Sequence, residues 1–421
     1  MIQVKKKTVL TKITLAVRFN LLISLAISTF LLILLNANNC FAINSFEEIK
    51  NYLINKTNLE NNDLSQLENG KMVSKLLAVD NKKEVAVFGV IPINTQPDLA
   101  FQAFQESLIR QSSKSSNDFG SFSNPPTPED VQNLTLEDRD IEDLKKCEIG
   151  NCNVKLSAEM IERFQKEIDW NAPDYAKQAT KLYRQMILDY VRDYLLRGDA
   201  ALIKYDDKKD TVNLADENSS LLNESILVND FAPDFAKYIK DFPHSELPNI
   251  TQSITWAKVK FGLKPVIIVT QTINYRMENA GSPPQIFSVT KQIYANHYFE
   301  SSLGLAAVIK AQDNKDDSKS YLLYSNYSRS DALGGTLGKL ARKTVETQAV
   351  DKLETLLQTA RYISESKSAD PDESTSFSGQ PDLIKNYSFW LLSMLVIAAL
   401  LFWFALRKTS KKGVLKTNKS A

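Results

Sequence analysis

One stretch, Gln285 to Lys310, reads QIFSVTKQIYANHYFESSLGLAAVIK and leaves little choice of local structure. Apolar and polar residues alternate, and β-branched and aromatic side chains dominate, so the pattern has the period of a strand. The polar step at Asn296-His297 divides it into two strands, Gln285–Ala295 and Phe299–Lys310, folded back on each other antiparallel. Alternation puts Leu303, Leu305, Ala307 and Ile309 on one face, the expected inner face of a sheet. It gives Tyr294 and Asn296 to one face and Ala295 and His297 to the other, so this polar group converges only if the strands bend.

The neighbouring segments extend the same sheet. Met72–Val79 and Glu84–Ile91 flank a polar turn and read as a hairpin, and Pro97 opens a helix through Arg110. Further on, Trp256–Leu263, Pro265–Tyr275 and Tyr321–Tyr327 are strand-like, with a hydrophilic loop at 311–319. A long amphipathic helix follows from Leu337 to about Tyr362, with Leu340, Val345, Leu353, Leu357 and Ile363 on its apolar stripe. Between hairpin and sheet, residues 125–245 read as a helical insertion. Ser157 caps one of its helices, and a helix over Pro173–Arg197 packs a tyrosine stripe and stops at Gly198. The fold class expected is therefore α+β: a curved antiparallel sheet packed on a long C-terminal helix, with a helical insertion and a C-terminal transmembrane helix.

The ends of the chain set its address. Residues 1–42 contain Lys5, Lys6, Lys7, Lys12 and Arg18, then an apolar run from Leu21 to Leu35 and small residues at Cys40 and Ala42, the three parts of a secretory signal. Residues 389–406 carry no charge, with Tyr387, Trp390 and Trp403 near the ends, and Arg407 begins a basic tail. The expected organisation is a signal peptide at 1–42, an α+β body at 43–363, a tether at 364–386, a membrane span at 387–406 and a cytoplasmic tail at 407–421. The expected location is the cell membrane, single-pass, with the body periplasmic. Setting aside the eleven basic residues of the two ends leaves 40 basic against 50 acidic residues, a body that repels nucleic acid. Cys147 and Cys152, spaced CEIGNC around Gly150, read as a local disulfide in that oxidising compartment.

Little in the body meets the needs of catalysis. Its histidines are His244, in a proline-flanked loop, and His297, between the central strands. Two histidines and an oxidised cysteine pair do not make a zinc site, and Asp313, Asp316 and Asp317 lack the spacing of a calcium loop. The glycines Gly334, Gly335 and Gly338 have the wrong spacing for a phosphate loop, so neither cofactor nor metal is expected. Asp331 suits a helix N-cap, and Arg329 is placed to pair with an acid. Asn-x-Ser/Thr sequons such as Asn55, Asn133, Asn249 and Asn326 arise readily in a chain this rich in Asn and Ser.

The order hairpin, helix, insertion, several antiparallel strands and one long C-terminal helix resembles the helix-grip, START-like arrangement, over residues about 70–110 and 250–366. That resemblance implies a curved sheet wrapped around its last helix with an apolar cavity between them. Separately, KCEIGNCNVKL, KQIYANHYFESSLGL and YSRSDALGG resemble a family of secreted bacterial envelope proteins, a likeness that implies no activity. The function expected is binding of an apolar or lipid-like ligand between sheet and C-terminal helix, with Tyr294, His297, Tyr298, Leu303, Leu305 and Arg329 as candidate ligand-binding residues. The alternatives are an envelope scaffold without ligand, or a hydrolase acting through His297, Tyr298 and Arg329.

Overall fold

The computed structural model describes residues 46–112, 118–259, 264–279, 282–310 and 319–369. The expected signal peptide, membrane span and basic tail lie outside the described residues, as do most of the tether and the loop bearing Asp313, Asp316 and Asp317. Among the described residues no helix is long and apolar enough to cross a membrane.

Two helices, α1 (Phe46–Thr57) and α2 (Asn61–Glu68), precede the hairpin β1 (Val73–Leu76) and β2 (Glu84–Asn94). The second lies in an Asn-rich run with no strong helical pattern. It forms because Glu60 and Asp63 satisfy each other's backbone N–H groups in a capping box. Helix α3 (Pro97–Ser112) and the short strand β3 (Phe119–Ser121) follow. Next come α4 (Asp138–Leu144), α5 (Ala158–Glu167) and α6 (Tyr175–Arg197). The Ser157 hydroxyl accepts from the Met160 N–H at 3.2 Å, as its position before α5 predicts. Gly198 ends α6 with φ +56°, and a Cβ there would sit 1.8 Å from the Phe242 carbonyl oxygen, so both backbone and space demand glycine. A two-residue hairpin, β4 (Lys204–Tyr205) and β5 (Val212–Asn213), leads into α7 (Leu214–Glu224), α8 (Val228–Phe231) and α9 (Pro233–Asp241). The chain closes with β6 (Ile250–Val259), β7 (Val266–Asn279), β8 (Ser282–Ala295), β9 (Phe299–Lys310), β10 (Lys319–Ser330) and α10 (Gly335–Ala369).

The protein is α+β. An antiparallel eight-stranded sheet runs in the order β1-β2-β10-β9-β8-β7-β6-β3, so the first hairpin closes on the last strand. Helices cover both of its faces. On one, α3 and α10 form a cluster with Val87, Ile91, Ile268, Ile286, Val308 and Leu322. On the other, α1 and the helices between β3 and β6 pack on Phe88, Val289, Leu303, Leu305 and Leu323. These helices belong to the same compact unit as the sheet. Strands β2, β9 and β10 are consequently buried on both faces, which is why β2 and the Leu303–Ile309 half of β9 read as near-continuous apolar runs, whereas β10 buries Ser325, Asn326, Ser328 and Ser330 among its apolar residues.

Helix α10 lies over β2, with Leu353 and Leu357 against Gly89. A Cβ at Gly89 would come within 2.7 Å of Leu357 Cδ1, so helix and strand touch directly there. The helix also runs six residues beyond the Ile363 at which its apolar stripe ends. Those last turns are held by polar contacts instead, Glu365 to the Asn94 N–H at 3.2 Å and Lys367 to Glu106 at 2.7 Å.

Leu303, Leu305, Ala307 and Ile309 do share one face of β9, as alternation requires, but that face looks away from the C-terminal helix and toward the other helical layer. Ala306 and Val308 are the β9 residues beneath α3 and α10. Alternation fixes which residues point the same way and says nothing of what covers them.

Candidate functional site

The polar group between β8 and β9 converges, and a bend makes it possible. Val269 pairs with Tyr294 and Thr270 with Gln292, which leaves Ile293 as an extra residue in β8 and turns both Ile293 and Tyr294 into the insertion-side core. Pairing between β8 and β9 stops at Lys291 and Leu303, so the two central strands part below that point. The insertion fills the split. Asn218 of α7 donates to the Gln292 carbonyl at 3.0 Å and accepts from the Ser301 hydroxyl at 2.5 Å. The Tyr205 hydroxyl accepts from the Ala295 N–H at 2.8 Å, and the Lys155 N–H donates to the Asn296 carbonyl at 2.8 Å.

Tyr294 sits at the centre of a tyrosine cluster, with the rings of Tyr183, Tyr190 and Tyr205 at 6.4, 6.3 and 6.2 Å. Its hydroxyl accepts from Tyr183 at 3.2 Å and donates to the Lys155 carbonyl at 3.1 Å. Burial pushes its ionisation well above the ordinary value, so it is a neutral structural donor.

His297 is 4% exposed and faces Asp140 of α4, itself 1% exposed, with Nε2 3.0 Å from Oδ1. Lys264 lies 3.3 Å from the same carboxylate and 2.6 Å from Asp143, and Asn296 Nδ2 donates to Asp140 Oδ2 at 3.5 Å. Tyr298, half-buried at φ +60°, holds the turn, and its carbonyl accepts from the Ser330 hydroxyl at 2.9 Å. Burial, partly offset by the Lys264 N–H, pushes its hydroxyl up to about 12.

Arg329 occupies a different pocket of charge. Its guanidinium donates to Glu84 at 2.6 Å, Glu217 at 2.9 Å, Glu224 at 2.8 Å and the Ser220 hydroxyl at 3.0 Å, which fastens α7 to β10 and β2. Burial works against that charge, and the carboxylates outweigh it, so the guanidinium is held above its ordinary value. The cap of the turn at Asp331–Leu333 is Ser330, which accepts from the Ala332 N–H at 3.2 Å, while Asp331 pairs with Lys208. The Cys147–Cys152 disulfide is formed, with Cα atoms 4.5 Å apart. Its loop pairs with the β4–β5 hairpin, Gly150 N–H to Asp206 at 2.7 Å and Cys152 N–H to Asp207 at 2.9 Å.

His297, Tyr298 and Arg329 therefore do not share one environment, which the hydrolase alternative needed. His297 and Arg329 are spent on carboxylates from separate helices. Tyr294, Leu303, Leu305 and Arg329 all point toward the insertion side. Among the described residues no cluster of three or more His, Cys, Asp or Glu side chains is arranged to hold a metal ion.

The face beneath α3 and α10 carries a polar feature of its own. The register Thr272–Thr290–Gly304–Asn326 crosses four strands as one row of small polar residues on that face. Next to it lie Ser288, bonded to Asn274 at 2.6 Å, and Ser302, 3.0 Å from Ser328. The β9–β10 half of this row satisfies itself. Ser328 donates to Asn326 Oδ1 at 3.0 Å, and Asn326 Nδ2 to the Leu303 carbonyl at 3.4 Å. The Tyr324 ring fills the space a side chain at Gly304 would take, its hydroxyl 2.6 Å from that Cβ position. The β7–β8 half does not. Thr272 and Thr290 are 2% and 4% exposed, and neither hydroxyl has a hydrogen-bond partner among the described residues. Sequence reasoning missed this row. Its only trace is the threonines at alternate positions of PVIIVTQTINY, which are equally common on solvated strand faces.

In comparisons with known proteins, no family model matches this chain and no curated protein is similar to it.

Proposed function

We propose that this is a non-catalytic, membrane-tethered extracytoplasmic protein that holds an apolar or lipid-like molecule between the sheet and the helices α3 and α10. The observation that carries this reading is the buried polar row on that face, with the Thr272 and Thr290 hydroxyls left without a partner among the described residues. A helix-on-sheet layer built only for packing is apolar, because a buried hydroxyl without a partner is destabilising. A groove that takes a ligand needs a few placed polar groups in an apolar lining. The strand order, with the first hairpin closing on the last strand and the final helix lying over it, suits the helix-grip arrangement. The full chain purified from membranes should carry co-purifying lipid by extraction and mass spectrometry. A lipid-free protein that takes up none on incubation would sink the reading.

A second reading, an envelope scaffold without ligand, draws on the closure of the charged clusters. Arg329 and Asp140 are saturated by partners within the chain, and α10 touches β2 directly at Gly89. Under that reading Thr272 and Thr290 are reached only by water.

A further inference from the structure

We infer that the group recognised at Thr272 and Thr290 is the carbonyl oxygen of an uncharged acyl ester. The inference rests on the binding reading above and adds the chemistry of the ligand. Thr272 and Thr290 are direct cross-strand partners, so their Cβ atoms are about 5 Å apart on one face of the sheet. Two hydroxyls at that spacing, unbonded to each other, suit one acceptor oxygen placed between them at about 2.8 Å from each. A carbonyl oxygen, with two lone pairs, accepts both.

Charge is excluded by the surroundings. The row and its strand neighbours are Ser, Thr, Asn, Gln, Gly, Ala and Tyr, and among the described strand residues the cations on this face, Arg276 and Lys310, stand at the far strand ends, engaged by Asp98 and Gln96. A carboxylate or phosphate here would be desolvated with no counter-ion. Along the strands the row is flanked first by Thr270, Gln292, Ser302 and Ser328 on one side and by Asn274, Ser288, Ala306 and Tyr324 on the other. This polar belt gives way to Ile268 and Ala295 at one edge and to Ile286 and Val308 at the other. The environment is thus apolar, polar, apolar, which matches a hydrocarbon chain carrying one neutral polar group.

The test uses the full chain held in amphipol and three probes of equal chain length: methyl palmitate, hexadecane and the palmitate ion. Methyl palmitate should bind at least about tenfold more tightly than the other two. In the Thr272→Val/Thr290→Val double variant that preference should vanish, while the ligand-free melting temperature holds or rises, because two unsatisfied buried hydroxyls have been removed. Equal binding of hexadecane and ester overturns the ester assignment but leaves the binding layer in place, as does a preference that survives in the variant. Binding of no probe, together with a lower melting temperature in the variant, overturns both and assigns the hydroxyls to buried water.

Discussion

Arg329 is the side chain whose loss should be felt most. Three carboxylates from two parts of the chain meet on it, and Glu84 is almost wholly buried, with its Oε1 unpartnered among the described residues. Burial raises the Glu84 carboxyl above its ordinary value even though Arg329 opposes the shift. Arg329→Met leaves these acids facing one another and should cost about 3–5 kcal/mol in thermal or denaturant unfolding. Arg329→Lys should recover only part of that, since one ammonium has three donors for four acceptors and lacks the guanidinium's reach. Asp143 offers a pH test. Burial disfavours its charge, but Lys264 and Asn153 outweigh burial and hold its carboxyl below the ordinary value. A lowered carboxylate stabilises the fold above the unfolded value, near 4, and that contribution fades as pH falls through the folded value. Asp143→Asn should therefore lower the melting temperature at pH 7, by about 1 kcal/mol of stability, with the gap to the wild type closing below pH ~4. A gap independent of pH would show that packing rather than charge is responsible.

Among the elements, α7 does what a strand would do elsewhere. It sends Asn218 into the split where β8 and β9 no longer pair, and Glu217 and Glu224 to Arg329. Asn218→Ala would leave the Gln292 carbonyl and the Ser301 hydroxyl buried without that partner, a loss of about 1–3 kcal/mol. Hydrogen exchange should then accelerate at the amides of 299–302 before it does elsewhere in β9; uniform acceleration would argue against a local role. The contact of α10 with β2 is tested at Gly89, where an added methyl meets Leu357 at 2.7 Å. Gly89→Ala should destabilise by about 1–3 kcal/mol through overpacking. An unchanged melting temperature would mean that the helix has room to lift from the strand.

At the scale of the whole molecule, the helices between β3 and β6 complete the sheet as well as covering it. Asn218, Tyr205 and Lys155 all supply hydrogen-bond partners to the backbone of β8 and the turn after it. Removing residues 125–245 should therefore give an aggregated or unfolded chain rather than a smaller stable domain, judged by solubility and far-UV circular dichroism. The disulfide closes a short loop and should matter far less. Cys147→Ser/Cys152→Ser is expected to cost about 2 kcal/mol, with the fold retained.

What the sequence determined by itself is local. Strand β9 begins and ends at the residues its alternation marks, Ser157 caps its helix, Gly198 stops α6, and Cys147 finds Cys152 five residues on. Each follows from backbone geometry or from groups close along the chain. The tertiary structure decided which layer covers each face. It turned Leu303 and Leu305 toward the insertion, and it brought Asp140 to His297 and Glu217 to Arg329 across more than a hundred residues. It also set Thr272 against Thr290 on the sheet face that carries α3 and α10. A strand's period is written in its own residues, whereas the partner of a buried charge or hydroxyl depends on how distant elements stack, and no local pattern encodes that.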